Sequence, residues 1–229
     1  MKHAFKIGSL VVIILFILTV SLHVQNKESF IVTRGDYTVE EIPNFLSKEE
    51  CERIIAISQS KLSKSLVFAT DEDKEDTTVR TSKQAWLKDS DDALINDISN
   101  RIAERTQTTI AQQESMQVVK YDENGFYKPH FDACDQATRT DCERMNMGQG
   151  PRIITFIMYL NDTFEGGETL FPNIDYKIVP EIGKAAIFHN VDEKGNILDK
   201  AMHGGLNVKN GEKWIANKWI HQYGNKPLV

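Results

Sequence analysis

His130-Phe131-Asp132 sets an imidazole and a carboxylate two residues apart. In an extended segment, residues at that spacing project to the same side, so both can reach one ion. One distant histidine would complete a set of two imidazoles and a carboxylate on one face of an octahedral metal. Such a set suits non-haem Fe(II) and leaves coordination positions open for substrate and oxygen. His203, in Ala201-Met202-His203-Gly204-Gly205, is the candidate third ligand. The remaining histidines fit less well: His3 and His23 lie near the N-terminus, His189 follows an apolar strand, and His221 lies far along the last strand. Alone, His-x-Asp is a weak signal, since most chance occurrences are surface pairs.

A second signal lies in Lys213-Trp214-Ile215-Ala216-Asn217-Lys218-Trp219-Ile220-His221. In a strand the odd positions share a face, which here carries Lys213, Asn217, Trp219 and His221. A lysine facing a core is costly unless an anion pairs with it. Lys213 could therefore meet the far carboxylate of a metal-chelating dicarboxylic acid. Alternatively the odd face meets solvent, and Trp214, Ala216 and Ile220 make the core.

The elements that must position these residues change character along the chain. Ser47 with Glu50 forms a capping box that opens a helix through about Lys61. Leu94, Ile98 and Ile102, behind Asp91 and Asp92, predict a second amphipathic helix. Beyond them come short β-branched or aromatic runs: Met116 to Tyr121, Ile153 to Leu160, Lys184 to Phe188 and Trp214 to Ile220. Gly166-Gly167, Gly183, Gly195, Gly204-Gly205 and Asn210-Gly211 break them apart. Helices followed by many short strands imply a sheet sandwich or barrel with helical buttresses. The acidic stretch Asp71 to Asp76 reads as a solvated loop, or as a loop beside an active site.

The chain has 229 residues, 41% hydrophobic and 26% charged, which suits one folded domain rather than a disordered chain. Its net charge of −6 gives no basic excess, so nucleic acid is not an expected partner. Leu10 to Val20 is apolar but for one threonine, and Lys2 and Lys6 precede it. Residues 1–24 thus read as a signal anchor or cleaved signal that sends the remainder into a lumen or out of the cell. Residues 25–37 read as a polar stalk and 38–229 as the folded domain.

In their order and spacing these residues resemble the catalytic domain of prolyl 4-hydroxylases, in the short form of plants, algae and large viruses. The resemblance runs from about Val39 to Tyr223. It includes Val79-Arg80-Thr81-Ser82, Gln117 to Tyr121, Tyr127-Lys128-Pro129-His130-Phe131-Asp132, Arg152 to Leu160, Glu165 to Pro172, Gly183 to Phe188, His203-Gly204 and Gly211 to His221. It implies an α+β, mainly β domain: a double-stranded β-helix, or jelly roll, with flanking N-terminal helices. It implies Fe(II), 2-oxoglutarate, O2 and ascorbate, with hydroxylation of peptidyl-proline at C4. By resemblance, His130, Asp132 and His203 ligate iron, Lys213 pairs with 2-oxoglutarate, and Tyr121 and Thr169 help to hold it. Tyr127, Arg152, Trp219 and His221 match positions lining the peptide site. Lys213 then turns the odd face of the last strand inward. The implied substrate is a proline-rich or collagen-like peptide, and the implied setting is the endoplasmic reticulum membrane, with a luminal catalytic domain, or secretion. The rival readings are another oxygenase of the superfamily, such as a lysyl hydroxylase, and a non-catalytic module for Pro-rich chains. The retained ligand set opposes the module, and Lys213, where lysine-directed relatives carry arginine, favours proline.

The stretch from Ala133 to Gly150 is longer than the plant and algal pattern. It holds Cys134 and Cys142, which an exported protein could join to close a small loop. Cys51, on the first helix, reads as a lone thiol. Asn161-Asp162-Thr163 is a glycosylation sequon.

Overall fold

A computed structural model describes residues 28–67, 73–134 and 141–224. The predicted leader lies outside the described residues. The elements run β1 (Phe30–Arg34), β2 (Tyr37–Ile42), α1 (Lys48–Gln59), β3 (Ser63–Lys64), β4 (Lys83–Leu87), α2 (Ala93–Thr106), β5 (Met116–Tyr121), β6 (Tyr127–His130) and α3 (Cys142–Asn146). They continue through β7 (Arg152–Tyr159), β8 (Glu165–Gly166), β9 (Thr169–Phe171), β10 (Tyr176–Ile178), β11 (Ala185–His189), β12 (His203–Gly205), β13 (Val208–Asn210) and β14 (Lys213–His221).

The helices form where local chemistry places them. Ser47 caps α1 and exchanges the reciprocal bonds of a capping box with Glu50. The Asp92 side chain accepts from Leu94 N to start α2, and Ile95, Ile98 and Ile102 are its buried stripe. Arg53 of α1 reaches Asp92 at 2.7 Å, so the cap of one helix also ties it to the other.

A major sheet runs β1-β2-β11-β7-β14-β5-β4-β3, and a minor one runs β10-β9-β12-β6. Their facing sides enclose Val119, Tyr159, Phe171, Ile178, Phe188 and Val208. The opposite side of the major sheet packs under α1 and α2 through Ile54, Ile98, Val118, Phe156, Met158 and Ala216. This is the expected double-stranded β-helix buttressed by helices.

Because the central strands are covered on both faces, they read as nearly continuous apolar runs. The two readings of the last strand therefore each hold for one face: Trp214, Ala216 and Ile220 do pack in the helix-side core. The odd positions face the other sheet, where Ile215 packs, rather than solvent.

The predicted stalk differs from the structure at its end. Residues 30–34 form β1, paired with β2 in a hairpin that opposes Arg34 to Tyr37. The two-residue link Gly35-Asp36 makes this possible, with Gly35 at φ +65° supplying the turn. The strand is largely exposed on both faces, and its apolar Phe30 and Ile31 meet solvent.

Candidate active site

β6 and β12 pair antiparallel in a register that sets His203 opposite His130. Asp132 follows β6 by two residues, and the three side chains converge with their ligand atoms within 4.8 Å of one another. His130 Nε2 lies 3.5 Å from Asp132 Oδ1, and His203 Nε2 lies 3.5 Å from Asp132 Oδ2. Each Nδ1 sits 2.9 Å from a backbone carbonyl, Lys128 O for His130 and Ala201 O for His203. A carbonyl only accepts, so the proton resides on Nδ1 and the Nε2 lone pairs face the shared point. Thr155 Oγ1 donates to Asp132 Oδ2 at 2.7 Å and itself accepts from Asn190 Nδ2 at 2.9 Å. Gly204 is required by the close approach of the strands: a Cβ there would fall 2.8 Å from Tyr127 O.

Burial pushes the His203 imidazolium down to about 4, against the opposing pull of Asp132. Burial alone would raise the Asp132 carboxyl, but His203, His130 and Arg152 outweigh it and hold the group far below the usual carboxylate range. Two imidazoles presenting Nε2 and a carboxylate held ionised, all aimed at one point, suit a divalent ion such as Fe(II).

Lys213, at the start of β14 opposite Tyr121 of β5, is 2% exposed. Its Nζ donates to Gly167 O at 2.6 Å. Among the described residues no carboxylate forms an ion pair with it, and burial pushes its ammonium down to about 7. A buried cation without a counter-ion is a site that an anionic ligand would complete. Thr169 Oγ1 accepts from the Tyr159 hydroxyl at 2.8 Å, which leaves its own proton to donate elsewhere. Tyr121, Thr169 and Lys213 share one cavity of about 1190 Å³ with His130, Asp132 and His203. The donor set therefore fits a chelating 2-oxo diacid as well as the metal.

Three of the four residues expected at the peptide site line this cavity. Tyr127 stacks on the His130 ring at 3.7 Å. Arg152 lies 4.0 Å over the Trp219 ring. Among the described residues the buried Trp219 Nε1 has no acceptor, so a ligand carbonyl could take its bond. His221 differs. It is fully buried behind Arg152, with Nδ1 on Gly150 O at 2.7 Å and Nε2 on Glu114 Oε1 at 2.9 Å. A register shift between Ile220 and His221 carries the side chain off the cavity face, so any effect on peptide passes through Glu114.

Sequence reasoning gave no role to Glu114, Thr155 or Arg80. Glu114 grips Arg152 through two bonds, at 2.5 and 3.0 Å. Burial would raise its carboxyl, but Arg152 and His221 hold it below the usual range. Arg80 lies 4.7 Å over the Tyr127 ring. It stands in the motif Val79-Arg80-Thr81-Ser82, the one signal that could have found it. Within the acidic stretch, Asp73 lines the cavity. Cys134 and Cys142 form a disulfide, and Cys51 is a free, buried thiol. In the sequon, Asn161 Nδ2 already donates to Glu212 O at 2.7 Å, and Oδ1 accepts from Trp214 N at 2.8 Å.

A jelly roll with this donor set between its sheets and a buried lysine beside it has the form of a 2-oxoglutarate- and Fe(II)-dependent oxygenase. Consistent with that class, the family model of the 2OG-Fe(II) oxygenase superfamily matches residues 116–221. A probable prolyl 4-hydroxylase of Arabidopsis thaliana is 33% identical over 207 residues, covering 81% of this chain and 70% of that protein. Prolyl 4-hydroxylase subunit alpha-3 of Mus musculus is 37% identical over 186 residues, 80% of this chain but 33% of the longer mouse subunit. The viral collagen prolyl hydroxylase of Paramecium bursaria Chlorella virus-1, solved with 2OG, superposes with a TM-score of 0.64 at 30% identity, covering 81% of this chain and 96% of that one. The chain belongs to the prolyl 4-hydroxylases.

Proposed function

We propose that this protein hydroxylates peptidyl-proline at C4, coupled to decarboxylation of 2-oxoglutarate to succinate and CO2. The observation that carries this reading is one cavity holding both a His-Asp-His donor set and a buried lysine that has no carboxylate partner among the described residues. His130, Asp132 and His203 would hold the metal, with Thr155 and the carbonyls of Lys128 and Ala201 orienting them. Lys213 would neutralise the far carboxylate of 2-oxoglutarate, with Tyr121 and Thr169 adding hydroxyl donors. When bound, iron, 2-oxoglutarate and O2, with ascorbate keeping the metal ferrous, supply the oxidant that converts proline C4–H to C4–OH. The protein's part is to place that C–H bond and exclude water. Tyr127 and Trp219 offer flat apolar faces to a pyrrolidine ring. Arg152, aimed by Glu114, offers N–H donors to peptide carbonyls, which proline leaves unpaired.

The proposed substrate is a proline-rich or collagen-like peptide, whose polyproline II form arrives preordered. The proposed location is the endoplasmic reticulum membrane, through an anchor at residues 1–24, with the catalytic domain luminal; a secreted form would follow if that segment were cleaved. The basic flank of the apolar run and the Cys134–Cys142 disulfide, at home in an oxidising compartment, support this.

The test is turnover of the purified full chain with Fe(II), 2-oxoglutarate and ascorbate on poly-proline, collagen-like and lysine-containing peptides. Mass spectrometry should place the added oxygen on proline C4. Oxygen on lysine, or none on any peptide despite bound metal and 2-oxoglutarate, would overturn the proline assignment.

A further inference from the structure

β14 turns Trp214, Ala216 and Ile220 into the core beneath the helices, and Lys218 stands in the same row. It lies opposite Phe156 of β7 and is fully buried. A charged group there costs stability unless its bonds offset the loss of water. An apolar side chain of similar length would fill the space without that cost. What it could not supply is the pair of directed bonds that Lys218 makes. Lys218 Nζ donates to Glu114 O at 2.9 Å and pairs with Asp89 Oδ1 at 3.1 Å.

We propose that Lys218 is a positioning residue for peptide binding: held by Asp89, it fixes the Glu114 backbone so that the Glu114 carboxylate can aim Arg152 into the cavity. The inference rests on the prolyl reading above and adds the part of the protein, on the far face of the sheet, that sets the geometry of that arginine.

Glu114 needs this support because it stands outside the regular pairing. The register between β5 and β14 ends at Gln117 and Asn217, short of Glu114. Two bonds take the place of the ladder. The Glu114 N–H donates to Trp219 O at 2.9 Å, and Glu114 O accepts from Lys218. With both backbone groups tied to consecutive residues of β14, the side chain has a fixed root. Its carboxylate then meets Arg152 Nη2 at 3.0 Å and His221 Nε2 at 2.9 Å. Glu114 and Arg152 both line the cavity that holds the metal donors. Lys218 is aimed in turn. Asp89, in the connection between β4 and α2, accepts from Ser99 Oγ at 2.6 Å with the same oxygen that meets Lys218. Gln113 adds a parallel tie, donating from Nε2 to Ser99 O at 2.9 Å. The chain of bonds from Asp89 to Arg152 thus crosses from the helix side of the sheet to the cavity through one backbone carbonyl.

The experiment compares the full chain with Lys218→Met, Asp89→Asn, Lys218→Met/Asp89→Asn, Arg152→Gln and Lys218→Met/Arg152→Gln. KM and kcat are measured on a collagen-like peptide, 2-oxoglutarate Kd anaerobically with Mn(II), and Tm alongside. Lys218→Met should raise peptide KM about tenfold, the lower end for a hydrogen bond to a charged group. Its kcat should stay within about twofold, the signature of lost binding rather than lost chemistry. Asp89→Asn keeps the lysine and should raise KM about threefold, as a neutral acceptor replaces a charged one. Lys218→Met/Asp89→Asn leaves no buried charge unpaired and should match Lys218→Met, so these two variants decide the matter even if Lys218→Met alone folds poorly. In the Arg152→Gln background Lys218→Met should raise KM no further, because the lysine acts through that arginine. 2-Oxoglutarate Kd should stay unchanged in every variant. A lowered Tm with unchanged peptide KM, a parallel loss of 2-oxoglutarate binding, or effects of Lys218→Met and Arg152→Gln that multiply in full would overturn the positioning role alone. A wild-type chain that binds 2-oxoglutarate but turns over no prolyl peptide would overturn it together with the reading beneath it.

Discussion

Lys213 shows how one buried charge can write a pH dependence into cosubstrate binding. Burial pushes its ammonium down to about 7, while an incoming carboxylate favours the charged form. Above that pH, binding must therefore take up a proton, and affinity for 2-oxoglutarate should fall up to about tenfold per pH unit as pH rises. Calorimetric titration in buffers of different ionisation heat checks this, and a pH-independent Kd without proton uptake would refute it. Lys213→Ala should raise the KM for 2-oxoglutarate strongly while leaving Mn(II) binding intact. Thr155 acts one layer further out. Thr155→Val removes the donor to Asp132 Oδ2 and strands the amide of Asn190. Metal affinity should drop about 10- to 100-fold, as for other supports of ligating groups, read by competition with a chelating dye.

At the scale of elements, the peptide side of the cavity hangs on Glu114, in the connection before β5. Its carboxylate joins Arg152 of β7 to His221 of β14, and its backbone oxygen accepts from the buried Lys218 at 2.9 Å. Glu114→Ala takes the shared carboxylate from the buried His221 and the partly buried Arg152 and should cost about 3 kcal/mol. Chemical denaturation measures the loss, and a change within 0.5 kcal/mol would mean water replaces the carboxylate. The helices behave differently. Asp92→Ala removes the cap of α2 and the partner of Arg53, at a cost of about 1 kcal/mol, and should leave KM for peptide and 2-oxoglutarate unaltered. The element that carries function is then separated from the one that only supports the sheet.

For the whole molecule, occupied ligand sites and folding are linked. Mn(II) and 2-oxoglutarate together, each near 100 times its Kd, should add roughly 2.7 kcal/mol per site, seen as a rise in Tm that His203→Ala abolishes. Membrane attachment is tested at the same scale: the full chain expressed in a secretory cell should resist carbonate extraction if residues 1–24 stay in place.

Much of this protein could be read from its residues alone. The caps at Ser47 and Asp92, the apolar period of α2 and the strand runs rest on local rules that neighbouring residues satisfy by themselves. The donor set His130, Asp132 and His203 was legible too, because ligand chemistry restricts residue type and a strand restricts spacing. Which way β14 faces was not settled by local pattern, since a strand buried on both sides shows no alternation; Lys213 identified its inner face only through resemblance. The rest depended on distances between segments far apart in the chain. β12 slides against β6 to oppose His203 and His130, and a slip at Ile220 turns His221 away from the cavity toward Glu114. Glu114 carries no local mark of its role, because it is defined by an arginine many residues away that only the closed sheets bring within reach.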